Sequence, residues 1–277
     1  MNKSKGIFFI ICSGFFFALM SFFVRLAGNL PTMQKAFFRN AIAFLVAAVV
    51  LARSGQKLSV PKESRMPLLL RSICGSIGLI CNFYAIDHLN ISDANMLNKL
   101  SPFFAILASW FILKEKANLK EWITVFIAFG GALFIIKPSL QLTSIYALVG
   151  ALGGLGAGMA YTFVRKLGKQ GVKGPIVVAA FSGFSCLVIL PFVIAQYQPM
   201  TAVQWGWLLL TGVAAAGGQF CITKAYTYAP AKEISVYDYT QVIFAALLGF
   251  FFLHQIPDGY SILGYVIILF AAILKFL

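Results

Sequence analysis

The stretch "ANMLNKLSPFFAILASWFIL" (94–113) has a counterpart 140 residues later, "ISVYDYTQVIFAALLGFFFL" (234–253), and this pairing decides the fold. Both stretches are mostly apolar over about 20 residues, the length of a membrane-spanning helix. The matching residues are Phe104, Ala105, Leu107, Phe111 and Leu113 in the first and Phe244, Ala245, Leu247, Phe251 and Leu253 in the second. Phe23-Val24-Arg25 and Phe163-Val164-Arg165 match at the same offset. A series at one constant offset predicts an internal duplication.

Composition predicts that both copies lie in a membrane. Hydrophobic residues make up 60% of the 277 residues and charged residues only 11%, about half of the charged share of a soluble domain. Ten stretches are long enough to span a bilayer. Their predicted ranges are Gly6–Leu26, Gln34–Arg53, Met66–Ile86, Ala94–Leu113, Leu119–Ile136, Ser144–Leu167, Pro175–Ala195, Val203–Thr227, Glu233–Leu253 and Tyr260–Phe276. We therefore predict an all-α polytopic membrane protein with ten transmembrane helices.

The basic residues are concentrated on one side of this predicted topology. Of the 22 Lys and Arg residues, 15 fall in the N-terminal tail, the even-numbered loops and the C-terminus, and three fall on the other side. The 15 are Lys3, Lys5, Arg53, Lys57, Lys62, Arg65, Lys114, Lys116, Lys120, Arg165, Lys166, Lys169, Lys173, Lys232 and Lys275. The three are Arg25, Lys35 and Lys137. Because basic loops stay cytoplasmic, we expect both termini in the cytoplasm and the chain in an inner (plasma) membrane. The net charge of +14 is then a topology signal and indicates no nucleic-acid partner.

The duplication divides the chain into two repeats, residues 1–138 and 139–277, with five predicted helices each. Since five is odd, the second copy is expected to enter the membrane from the opposite side. The halves would then be inverted repeats, a plan on which many secondary transporters are built. Two such halves can exchange inward-open and outward-open arrangements around a site between them.

The chain resembles the drug/metabolite transporter superfamily, EamA type. The resemblance is carried by "SPFFAILASWFILKEK" (101–116), "VYDYTQVIFAALLGFFFLHQIPDGYSILGYVIILFAA" (236–272) and "AFFRN" (36–40). It covers essentially the whole chain and implies ten helices in two inverted halves. The motifs are mostly small and apolar, so they indicate the architecture and leave the substrate open. Lys114-Glu115 departs from the repeat, because His254-Gln255 stands at the matching place.

Polar and charged side chains inside the predicted helices are the candidates for a substrate site. Lys99 lies about 10 Å deep in a hydrocarbon layer about 30 Å thick, and Asp238 about 9 Å beyond the start of its helix. A charge facing lipid at the bilayer centre costs about 2.5–3.5 kcal/mol, so we expect both to face a polar cavity between the halves. Pro102 would free a backbone carbonyl in the turn before it. The predicted substrate-binding residues are Arg39, Asn82, Asn98, Lys99, Lys224 and Tyr239, and the predicted proton-coupling residue is Asp238.

Structural roles for these residues are the alternative interpretation. Lys224 and Asp238 could form a plain ion pair that joins the eighth and ninth helices. Lys99 and Arg39 could extend to the membrane surface and solvate their charges there. Arg71 is expected to reach the headgroups from the cytoplasmic end of the third helix.

These features together predict a secondary transporter, either an exporter or a proton-linked or facilitated carrier, that moves a small organic metabolite by alternating access. Excess positive charge in the cavity favours an anionic or zwitterionic substrate such as an amino acid. No ATP-binding domain is evident, and His88 and His254 lack metal-ligand spacing, so we expect no enzyme, cofactor or metal. The expected partners are a small-molecule substrate and the lipid bilayer, with a homodimer left open. The runner-up is a non-transporting membrane receptor or assembly protein.

Asp238 is the predicted site of proton coupling. Burial favours the neutral carboxyl, whereas the nearby Lys224 would favour the ionised form. A conformational change that alters this balance could bind a proton in one state and release it in the other. A fixed Lys224–Asp238 pair with no part in coupling is the alternative.

Overall fold

The computed structural model describes residues 2–54, 59–88, 91–136, 145–254 and 256–276, and every regular element in these ranges is helical. The elements are α1 (Lys3–Leu26), α2 (Thr32–Arg53), α3 (Lys62–His88), α4 (Ile91–Asn98), α5 (Ser101–Leu113), α6 (Leu119–Ile136), α7 (Ile145–Lys169), α8 (Gly174–Ala195), α9 (Ala202–Tyr228), α10 (Ala231–Ile234), a 3₁₀ turn (Ser235–Tyr239), α11 (Thr240–Leu253) and α12 (Gly259–Phe276). The predicted repeat boundary after residue 138, and the predictions for Lys57, Lys137 and Gln255, lie outside the described residues.

The ten predicted spans are confirmed. Ten stretches of the described chain are helical, long enough and apolar enough to cross a membrane. The fourth span, Asn95–Leu113, joins the end of α4 to α5, and the ninth, Ala231–Leu253, runs from α10 through the 3₁₀ turn to α11. The third helix begins at Lys62, four residues before the predicted start at Met66. Its first turn is polar, and Lys62, Glu63 and Arg65 in it are exposed, so hydropathy alone does not detect the turn.

The two halves pack against each other reciprocally. Helix α3 packs on α7 as α1 packs on α9, and α5 packs on α7 as α1 packs on α11. The pairs α2–α8 and α6–α12 join equivalent helices directly. Exchanging the halves therefore returns the same set of contacts, as expected for two units related by a two-fold axis. The inverted orientation of the second repeat stays a prediction that this pattern supports.

Glycines allow the helices of the two halves to approach closely. A Cβ on Gly78 of α3 would lie 2.8 Å from the backbone nitrogen of Ala157 in α7. Gly154 of α7 packs on the junction of α4 and α5, where its Cβ would lie 2.6 Å from the carbonyl oxygen of Leu97. The repeat-equivalent Gly14 packs on the start of α11, where a Cβ would lie 3.1 Å from the amide of Gln241. Equivalent glycines thus hold the fourth and ninth spans at equivalent places.

Candidate substrate site

The fourth and ninth spans are both interrupted in the interior of the bundle, and the two interruptions touch. Helix α4 ends at Asn98 and α5 begins at Ser101. Pro102 explains this break, because it has no amide hydrogen to donate to the Asn98 carbonyl. In the ninth span the backbone tightens into the 3₁₀ turn instead. The hydroxyl of Tyr239, which ends that turn, donates to the backbone oxygen of Lys99 at 3.0 Å.

Lys99 and Asp238 form a buried ion pair across these two interruptions. The Lys99 Nζ lies 3.0 Å from Asp238 Oδ2, and both side chains are 9% exposed. The ammonium also donates to Gln241 Oε1 at 2.8 Å and to the backbone oxygen of Asp238 at 3.4 Å. Three donors therefore meet three acceptors, which is the condition under which a buried charge is tolerated. The pair joins the first repeat to the second at the centre of the fold.

Two further cations, Arg39 of α2 and Arg71 of α3, are buried in the interior of the bundle. Arg39 is 7% exposed and its Nε contacts the sulfur of Met20 at 3.0 Å. Arg71 is 2% exposed, donates to Gln219 Oε1 at 3.2 Å, and lies over the ring of Phe181 at 4.1 Å. Neither guanidinium has an acidic partner among the described residues. The contacts of the two arginines are neighbours in the fold. Gln219 follows Gly218, where a Cβ would lie 2.6 Å from the ring of Phe17, and Phe17 lies one turn along α1 from Met20.

Tyr161 of α7 packs in the same buried group of side chains as Tyr226 and Tyr239. Its ring stacks on that of Tyr226 at 5.0 Å with an interplanar angle of 16°. We call Arg39, Arg71, Lys99, Tyr161, Gln219 and Asp238 the central cluster. It combines three cations with one carboxylate.

The structure corrects two predictions about these charges. Asp238 pairs with Lys99 rather than Lys224, whose side chain is exposed and lies over the ring of Phe9 at 5.0 Å. The reason is rotation about the helix axis, since Lys224 lies about 140° around α9 from Gln219. Arg71 does not extend to the membrane surface either. It lies about 13 Å along α3 from Lys62, in the interior of the bundle.

The remaining predicted residues lie around the central cluster. Tyr239 is buried and bonds Lys99, and Asn98 is half-buried at the end of α4. The side-chain oxygen of Asn82 is buried and has no partner among the described residues. Sequence reasoning missed Tyr161, Tyr226 and the role of Arg71. An arginine inside a membrane-spanning helix is itself a signal of a functional site. The signal of Arg71 was missed because α3 begins at Lys62, so that Arg71 lies deeper in the helix than predicted.

A separate charged network ties the helices together at the end of the bundle that carries Lys3 and Lys275, here called the basic end. Glu115 accepts from Arg165 at 3.3 Å and from Lys169 at 2.6 Å. Lys275 lies 3.3 Å from Glu121 and 3.5 Å from Glu233, which also pairs with Lys3 at 3.2 Å. Residues predicted on one side of the membrane thus share one end of the bundle. Arg165 is an exception to its predicted loop position, because it lies inside α7 and is 2% exposed.

The sequence was compared with models of known protein families. The model described as the EamA-like transporter family matches the chain twice, at residues 4–137 and 144–277. The chain belongs to the EamA-like transporter family. Each match covers five of the ten spans, in agreement with the duplication. Membership makes the chain a multi-pass membrane transporter of small molecules and bears out the resemblance stated above.

Relatives of this EamA-like chain are named as transporters. It is 33% identical over 272 residues to the pseudopaline exporter CntI of Pseudomonas aeruginosa, covering 97% of this chain and 95% of the relative. It is 27% identical over 274 residues to a riboflavin transporter of Vibrio cholerae, covering 95% and 90%. The human solute carrier family 35 member G1 is 25% identical over 278 residues, covering 94% and 75%. A crystal structure with 15% identity superposes with a TM-score of 0.82 over 99% of this chain and 96% of the other, which shows the fold alone.

Proposed function

We propose that this EamA-like transporter exports a small organic metabolite by alternating access, with the substrate bound at the central cluster. The observation that carries the proposal is the meeting of two interrupted spans, one from each half, at a buried ion pair. Interrupted spans at the interface of two repeats form the binding sites of many secondary transporters. The direction follows a relative named as an exporter. Of the residues that the sequence predicted to bind substrate, Arg39, Asn82, Asn98, Lys99 and Tyr239 stay candidates. Lys224 is left out because its side chain is exposed.

Alternating access requires a barrier that opens at each end of the bundle in turn. The rings of Tyr161 in α7 and Tyr226 in α9 stack at 5.0 Å and form an aromatic layer, two residues before α9 ends at Tyr228. Arg165 donates to the backbone oxygens of Tyr226 and Thr227 at 3.3 and 2.9 Å, and so holds this layer in place. Opening the basic end would separate the tyrosines and break the bonds of Arg165. We propose that this layer is the gate at the basic end.

Transport itself is tested by reconstituting the purified chain in liposomes. Vesicles loaded with pools of amino acids, nucleosides, vitamins, organic acids and amines are expected to release at least one compound faster than protein-free vesicles. Release is measured by mass spectrometry of the external medium. Failure with every pool would favour the non-transporting alternative, a receptor or assembly protein that retains the fold.

Asp238 is the proposed proton site if a pH gradient drives transport. In the described state its carboxylate is held by Lys99 at 3.0 Å. Protonation would remove the charge and release Lys99, so that the two halves could move apart. With Asp238→Asn, pH-driven accumulation is expected to disappear while exchange of substrate across the membrane survives. Intact pH-driven accumulation in this variant would remove Asp238 from the coupling mechanism and leave a fixed brace.

The basic end is proposed to face the cytoplasm of an inner membrane. Single cysteines introduced at Lys116 and Lys169, both exposed, test this in a background without the five native cysteines. A membrane-impermeant thiol reagent is expected to label them in inverted vesicles and not in intact cells. A cysteine at Asp258, at the opposite end, should show the reverse pattern. Labelling of position 116 from outside would overturn the orientation.

A further inference from the structure

The pair Arg39 and Arg71 is the feature of the central cluster that the ion pair does not explain. A guanidinium carries five N–H donors and no acceptor. Arg39 is given only a thioether, a weak acceptor, and Arg71 only the amide oxygen of Gln219. The Nε of Arg71 is buried without a partner among the described residues. Most of the donors of both groups are therefore left without acceptors from the part of the chain that the structure describes.

The charge of the cluster is also unbalanced. Asp238 is the acidic member, and Lys99 already neutralises it at 3.0 Å. Two positive charges thus remain, on side chains that are 7% and 2% exposed. Burying a charge without a partner is strongly unfavourable, and a second like charge nearby adds repulsion. Such an arrangement is stabilised when a ligand supplies the missing negative charge.

The side chains around Arg71 orient its guanidinium group but supply no negative charge to neutralise it. Its guanidinium lies over the ring of Phe181 at 4.1 Å, which supports the charge on one face and leaves the edge with its donors free. Gly75, one turn along α3, gives the group room, since a Cβ at that position would clash with Nη1 of Arg71. Planar guanidinium forks bind carboxylate and phosphate groups through paired hydrogen bonds.

We infer that the substrate is a small molecule with a net charge of −2 or below, carried by carboxylate or phosphate groups, that Arg39 and Arg71 bind. This inference rests on the proposed function and narrows its substrate class. A neutral zwitterion such as alanine leaves one positive charge of the pair unmatched, and a cation adds a third. A ligand that carries two negative charges matches both arginines and leaves the Lys99–Asp238 pair intact.

The test uses a water-soluble metabolite extract separated on an anion exchanger at neutral pH. One fraction holds the compounds with a net charge of −2 or below, and the other holds all remaining compounds. Each is loaded into liposomes that contain the full chain, and release is followed by mass spectrometry. Release is expected from the first fraction. Whether the released compound contains phosphorus, seen in its mass, distinguishes phosphate esters from carboxylates.

Matched variants connect this release to the two arginines. Arg39→Gln and Arg71→Gln are expected to lower the rate by about tenfold or more, which corresponds to one lost charged contact of about 1.4 kcal/mol or more. Arg53→Gln on α2 and Arg65→Gln on α3 replace exposed arginines of the same helices and should leave the rate unchanged. Arg71→Lys keeps the charge without the fork, and an intermediate rate is expected.

Thermal unfolding keeps the test independent of folding defects. Without substrate, Arg71→Gln is expected to melt at the same temperature as the native chain or higher, because it removes an unmatched buried charge. Release from the second fraction alone, or release that both glutamine variants retain, would overturn the inference while the transporter proposal stands. Release from neither fraction would defeat the transporter proposal itself, and the inference with it.

Discussion

Two arginines of this protein are equally buried and yet differently supplied with partners. Arg165 at the basic end and Arg71 in the central cluster are both 2% exposed. Arg165 bonds the carboxylate of Glu115 and two backbone oxygens at the end of α9. Arg71 bonds a single amide oxygen. Burial alone therefore does not reveal the role of a charged residue. An arginine whose donors are bonded stabilises the fold, whereas one with few bonds is available to a ligand.

The same contrast holds for the carboxylates. At the basic end Glu115, Glu121 and Glu233 each have a lysine or arginine within 3.5 Å. In the central cluster the one carboxylate, Asp238, pairs with Lys99, and Arg39 and Arg71 have no carboxylate partner among the described residues. The network at the basic end is close to neutral and the centre is positive. A transporter needs both properties, because a closed end must be stable and the substrate site must attract a charged ligand.

The largest effect is expected from Arg165→Gln. This change leaves two backbone oxygens without their donor and weakens the hold on Glu115, which keeps Lys169 at 2.6 Å. Breaking a buried, hydrogen-bonded charge of this kind destabilises proteins by about 3–5 kcal/mol. We expect a clear fall in melting temperature, measured with a thiol-reactive fluorophore on the five free cysteines. The control is Lys166→Gln, which removes a less buried charge from the next position of the same helix and should change the melting temperature little.

A melting temperature of Arg165→Gln equal to that of the native chain would break the comparison. It would mean that the hydrogen bonds of Arg165 contribute no more to the stability of the fold than the single hydrogen bond of Arg71. The tyrosine layer would then need another support, and the proposed gate would lose its anchor at the basic end.

The sequence was sufficient for the spans, because each one is a local apolar run of about 20 residues. It also located Lys99 and Asp238 as interior charges, since neither can face lipid cheaply. It paired Asp238 with Lys224, whereas the partner is Lys99. The correct partner depends on the rotation of α9, which turns Lys224 outward, and on the contact between the two interrupted spans. Neither property can be read from a local stretch of sequence. Arg71 was assigned to the surface because polar residues 62–65 extend its helix beyond the apolar run.

An intermediate effect is expected from the Lys99–Asp238 pair, the one matched pair of the central cluster. Lys99→Met leaves the Asp238 carboxylate buried without its cation. We therefore expect the free energy of unfolding to fall by about 2–3 kcal/mol. The double variant Lys99→Met/Asp238→Asn removes both charges and should recover part of the stability, since the two sites are in direct contact.

Additive losses in that double variant would contradict the pairing seen here. The control is Lys224→Met, which should neither destabilise the chain nor interact with Asp238→Asn, because Lys224 lies on the outer surface. If Lys224→Met and Asp238→Asn were coupled instead, the pairing predicted from the sequence would describe another state of the transport cycle.

The smallest effect is expected from Lys275→Gln, which tests how far the basic end depends on any single charge. Lys275 is 7% exposed and bridges Glu121 and Glu233. Glu121 retains the backbone amide of Asn118 at 2.7 Å, and Glu233 retains Lys3 at 3.2 Å. Because both carboxylates keep a donor, we expect the free energy of unfolding to fall by about 1–2 kcal/mol, the lower part of what a hydrogen bond to a charged group contributes. Removing Lys3 as well, in Lys3→Gln/Lys275→Gln, leaves Glu233 without either partner and should cost more than the two single losses added together. The melting temperatures of the native chain, the two single variants and the double variant are compared. Strictly additive losses would show that the basic end is a set of independent ion pairs. The contrast between the basic end and the central cluster would then depend on Arg165 alone.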